Sequence, residues 1–136
     1  MTTAPLVPVS WGELLDKIAI LEIKAHRLTA PAARANAARE WALLQDAAAS
    51  MPVASMPVTL AEHRSALLAV NTRLWRIEDQ IREREAAGDF GPAFIALARA
   101  VYHENDERGR IKRAVNLLLE SPLVEEKQYS SYERSP

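Results

Sequence analysis

The stretch SWGELLDKIAILEIKAHRL, Ser10 to Leu28, sets the fold class. Ser10 followed three residues later by Glu13 is a capping box, which opens a helix. With successive side chains about 100° apart around the axis, Trp11, Leu14, Leu15, Ile18, Leu21, Ala25 and Leu28 share one broad arc. An apolar stripe that wide belongs to a helix packed against others. Glu22 falls inside the arc and His26 at its edge. Glu13, Asp16, Lys17, Lys24 and Arg27 are expected on the opposite, solvated side.

Three more helices follow from the same signals. Pro31 suits a first helical turn, and the Ala-rich run after it predicts a helix over 31–49. SMPVASMPV (50–58) holds two prolines and reads as a connection. Thr59 with Glu62 forms a second capping box, predicting a helix over 60–87. GDFGP breaks the chain, and Pro92 opens a helix over 92–119. Ser121-Pro122 ends it, leaving residues 120–136 as a tail whose Tyr129 and Tyr132 are expected to dock on the helices. The expectation is an all-α single domain spanning 1–136: a four-helix bundle or close relative with a C-terminal tail packed on it.

Composition agrees and excludes several classes. The 136 residues are 49% apolar and 26% charged, with only 4 Gly, as in an ordinary helical globular chain. No apolar run approaches the roughly 20 residues that span a bilayer. The opening MTTAPLVPVS has neither a basic leader nor a long apolar core, so no signal peptide is expected. Zero Cys removes disulfides and thiolate metal sites and fits a cytoplasmic protein. Net charge is −1, and the stretches divided after Val58 and Phe90 are each near neutral. Neither a nucleic-acid footprint nor a membrane-surface helix is therefore expected, since both require a basic face.

The functional signal is polar residues where apolar ones belong. In the third helix Leu60, Leu67, Val70, Leu74, Ile77 and Ile81 form a stripe that Asn71, Glu78, Arg82 and Glu85 interrupt. In RAVYHENDERGRIKRAVN (99–116) the stripe of Phe94, Ala98 and Val101 continues as Asn105, Arg108, Lys112 and Asn116. His103, Asp106, Glu107 and Arg110 face water. Three helices thus direct complementary charges inward, and Glu22 and Glu78 are the expected partners of the cations.

Two readings stay open. In one, Arg82, Arg108 and Lys112 clamp a small anionic molecule while Glu22, Glu78, Asn71, Asn105 and Asn116 orient it, because guanidinium forks match carboxylates and phosphates. In the other, the polar layer only fixes helix register, a homo-oligomer seam or a protein-partner interface, with Trp41 or Trp75 on the partner surface. Residues 14–28 also have the Leu/Ile spacing of the first helix of small helical chorismate mutases, without the inward Arg that family carries. A nucleotide-hydrolysing helical enzyme would need a Glu-Glu-x-x-Glu element that is lacking. Glu22 and His26 are four apart, against the Glu-x-x-His spacing of di-iron bundles. No metal, no cofactor and no nucleophilic serine or cysteine is expected.

SWGELLDKIAILEIK (10–24), NTRLWRIEDQIR (71–82), FIALARAVYHENDERGRIKRAVN (94–116) and EEKQY (125–129) together resemble an uncharacterised family of short bacterial and viral helical proteins. The likeness spans most of the chain outside 30–58. It implies no activity, although such proteins occur near genes for surface-polysaccharide synthesis, which would suit an accessory module. It marks Glu13, Lys17, Glu22 and Lys24 as motif positions, with Asn71, Trp75, Glu78, Asp79 and Arg82 on the third helix. Asn105, Asp106, Arg108, Lys112 and Asn116 follow on the fourth. Glu125, Glu126 and Lys127 mark the tail, where Glu125 or Glu126 is expected to answer a cation of the third or fourth helix while Tyr129 packs.

Overall fold

The structure, a computed structural model, describes residues 2–52 and 56–133. Residues 53–55 of the expected connection and 134–136 of the tail lie outside the described residues. The described residues form four helices: α1 (Trp11–Arg27), α2 (Pro31–Ala48), α3 (Pro57–Ala86) and α4 (Pro92–Leu118). The described residues contain no strand.

Each boundary has a local cause. Ser10 caps α1, its hydroxyl accepting from the Glu13 amide at 3.1 Å. Only half of the box forms, because the Glu13 carboxylate turns away toward Lys112 and Lys17. Proline at the first turn opens α2, α3 and α4. The expected Thr59–Glu62 box does not start α3, which begins a turn earlier at Pro57 with Met56 as its uncapped flank. Proline's fixed φ and missing N–H suit the first position, so it sets the start instead.

Both long helices end the same way. After α3, Gly88 takes a left-handed φ of 66°, and the amides of Gly88 and Asp89 bond back to Glu85 and Arg84 carbonyls. After α4, Glu120 takes φ 51°, and Glu120 and Ser121 bond back to Leu117 and Asn116. These are Schellman endings, which satisfy carbonyls that the last turn leaves orphaned.

The packing is a relative of the four-helix bundle in which α1 is the hub. It touches all three other helices, α3 pairs with α4, and α2 lies against α1 alone. Leu14, Leu15, Ile18 and Ala19 of α1 meet Leu60, Leu67 and Val70 of α3, Ile111 and Val115 of α4, and Leu119 at the C-cap of α4. Trp41, Leu44 and Ala48 of α2 close the outer side. Trp41 is therefore packed against the core, and Trp75 is half-buried. The buried half of α4 is its C-terminal half, where Lys112 and Asn116 alternate with Ile111 and Val115. Among the described residues, no helix is long and apolar enough to cross a membrane.

Gly12 lets α1 and α4 meet backbone to backbone. A Cβ there would sit 2.4 Å from the Lys112 carbonyl oxygen and 2.9 Å from Asn116 Oδ1. Gly12→Ala is accordingly expected to destabilise the fold by about 1–3 kcal/mol, despite alanine's better helix propensity. Gly109 is the control: its added Cβ would meet nothing nearer than Lys127 at 4.0 Å. Gly109→Ala is expected to stabilise by up to about 1 kcal/mol. Urea denaturation of the two variants should therefore give shifts of opposite sign.

Candidate functional site

The polar layer is built around Asp16, which is 3% exposed at the centre of α1. Its Oδ1 accepts from Asn71 Nδ2 at 2.8 Å, and that amide also donates to the Leu67 carbonyl at 3.0 Å. Its Oδ2 lies 3.9 Å from Lys112 Nζ and 4.0 Å from Arg108 Nε. One carboxylate of α1 thereby joins α3 and two turns of α4. The order of these contacts, 12 with 116 and 16 with 108, makes α1 antiparallel to α4.

Lys112 is buried yet fully engaged. Its ammonium meets Glu13 at 2.5 Å and Glu125 of the tail at 2.8 Å, with Asp16 behind. Burial pulls the Lys112 pKa down, but the hydrogen bonds it donates to Glu125 and Glu13 and the charges of Glu13 and Asp16 outweigh it, leaving it raised. Burial likewise raises the Glu13 carboxyl, and Lys112 and Lys17 overcome it to hold it below its usual value. Asn116, 2% exposed, accepts the otherwise orphaned Gly12 amide at 2.7 Å.

Arg108 is different. Its NH1 reaches Asn71 Oδ1 only at 3.4 Å, and its Nε is buried with no hydrogen-bond partner among the described residues. Beside it opens a cleft of 510 Å³ between α1, α3 and α4. Its lining gathers Asn71, Glu78, Arg82, Asn105 and Arg108 with Lys24, Trp75, Asp79, Ile20 and Leu74. Arg82 pairs with Glu78 one turn back on α3, at an exposed position. This volume is within the usual range for small-molecule sites.

The profile of a family of unknown function, DUF6165, matches residues 6–136. The chain belongs to that family. No curated protein and no solved structure matches it.

The eight expected site residues thus divide. Asn71, Glu78, Arg82, Asn105 and Arg108 share the cleft, while Lys112 and Asn116 lie in the closed layer beside it. Glu22 joins neither: it lines a separate small cavity with Arg64, Ser65 and Leu68. The expected pairing of the α4 cations with Glu22 and Glu78 is corrected to Glu13, Asp16 and Glu125. Asp16 itself, expected on the solvated face, is among the most buried polar residues. Its signal was present in Gly12, Ala19 and Ile23, which sit at −4, +3 and +7 and are all buried. The expected tail contacts are partly redistributed: Glu125 answers Lys112, Tyr132 docks, and Tyr129 stays exposed. Among the described residues, no group of three or more His, Asp or Glu is placed to hold a metal ion.

The pKa directions predict a stability plateau. Glu13's lowered pKa contributes stability that is present above the unfolded carboxylate value and lost as pH falls below about 4. Lys112's raised pKa contributes stability that is present below the unfolded lysine value and lost as pH rises beyond about 10.4. Melting temperature against pH should fall on both sides, and Glu13→Gln should flatten the acid limb. An unchanged acid limb would show that Glu13 carries no such linkage.

Proposed function

We propose that this protein binds a small anionic ligand in the cleft between α1, α3 and α4. Arg108 and Arg82 supply guanidinium groups, Lys24 an ammonium, and Asn71 and Asn105 amides that orient the bound group. The observation that carries this reading is Arg108: a buried Nε with no hydrogen bond among the described residues, on a guanidinium held by long contacts in the lining of a cleft. An unmade charged hydrogen bond in a buried place is costly, and a carboxylate or phosphate oxygen would complete it. Lys112 is left out of the clamp because three carboxylates already surround its ammonium. A chain without cysteine suits a reducing compartment, and we place the protein in the cytoplasm, without nucleic-acid or membrane partners.

The test is thermal-shift titration with inorganic phosphate, nucleotides, sugar phosphates and dicarboxylates. A ligand at 100 times its Kd should add about 2.7 kcal/mol of stability. Arg108→Ala is expected to abolish that shift, while Glu22→Gln, at a separate cavity, retains it. A shift that survives Arg108→Ala would remove the cleft from consideration.

A further inference from the structure

The C-terminal tail lies along α4 without packing tightly on it. After Ser121, no backbone hydrogen bond joins the described tail residues to the helices. Among the described residues, three side chains hold it: Glu125 on Lys112 at 2.8 Å, Glu126 on Arg113 at 3.3 Å, and Tyr132, whose hydroxyl donates to Asp106 at 2.5 Å. The Tyr132 ring also lies 5.2 Å from Tyr102 and 5.1 Å from His103. Between these anchors, cavities of 420 and 760 Å³ separate the tail from α4. The tether begins at Glu120, held at φ 51° where glycine is the comfortable residue.

We propose that this ridge of α4 is a docking site for an acidic, extended segment of another protein, and that the tail occupies it in cis until that partner displaces it. The tail displays the chemistry that fits. Two adjacent carboxylates meet Lys112 and Arg113, and a tyrosine six residues beyond Glu126 enters the Tyr102–His103 notch. Charge complementarity supplies the pairing, and the absence of backbone hydrogen bonds from the described residues after Ser121 to the helices makes it exchangeable. This inference stands apart from the ligand cleft, although Asn105 and Arg108 line both the cleft and the larger tail cavity.

The experiment titrates a fluorescein-labelled peptide with the sequence of residues 122–133 into the full chain and into full-chain E126Q/Y132A. Both substitutions are at exposed positions and leave the Glu125–Lys112 pair intact. If the tail is docked about nine-tenths of the time, loosening it should tighten peptide binding roughly tenfold. Adding Arg113→Glu should then remove most of the gain, and rising salt should weaken binding. Equal affinities for the wild type and the double variant would overturn the proposal, as would no binding by either. Sedimentation of the double variant alone is the second readout. Self-association through exchanged tails would make the occupant a second copy of this chain, and the proposal would fail.

Discussion

A carboxylate buried in the middle of a helix bundle dictates much of what surrounds it. Asp16 is 3% exposed, and an uncompensated charge there would cost several kcal/mol. Its two oxygens need donors from more than one direction, because α1 has neighbours on three sides. Asn71 comes from α3, and Arg108 and Lys112 come from successive turns of α4. These contacts fix the register of α4 against α1 to within a turn. Gly12 makes the register reachable, since the two backbones come too close there for any side chain.

That hub position explains what was legible in the chain and what was not. Helix starts at Ser10, Pro31 and Pro92 were legible because caps and prolines act locally. The start of α3 at Pro57 lies three residues before the expected one, since proline's preference for the first turn prevailed over a plausible Thr59 box. Asn71 on α3 and Lys112 and Asn116 on α4 were legible as buried polar residues because each of those helices buries one stripe, whereas Arg82 and Glu85, further along α3, are exposed. Asp16 was not, because a single-stripe view of α1 assumes one buried face and α1 buries more. Glu22 is the complementary case: it belongs to the apolar arc by angle, and α1 there faces a separate cavity beside Arg64.

The two central cations also divide by their chemistry. An ammonium is a compact charge that carboxylates can surround from any direction, and Glu13, Asp16 and Glu125 do so at Lys112. A guanidinium is planar, and its donors point along fixed directions, so neighbours on one side cannot satisfy the rest. Asn71 reaches Arg108 only at 3.4 Å and Asp16 stops 4.0 Å from its Nε, which makes no hydrogen bond among the described residues. Position alone would not predict this asymmetry, for the two residues are one turn apart on the same helix.

The tail contributes to the same balance from outside. Glu125 supplies a carboxylate to Lys112, so the buried layer depends in part on a segment that, among the described residues, three side-chain anchors hold. If the tail left, Lys112 would keep Glu13 and Asp16, and the layer would remain paired. Arg113 would lose its exposed partner, and Asp106 would lose the Tyr132 hydroxyl. The interior is therefore insulated from tail exchange, while the α4 surface is the part that registers it. A segment with inner contacts that are duplicated and outer contacts that are not can be replaced without disturbing the fold.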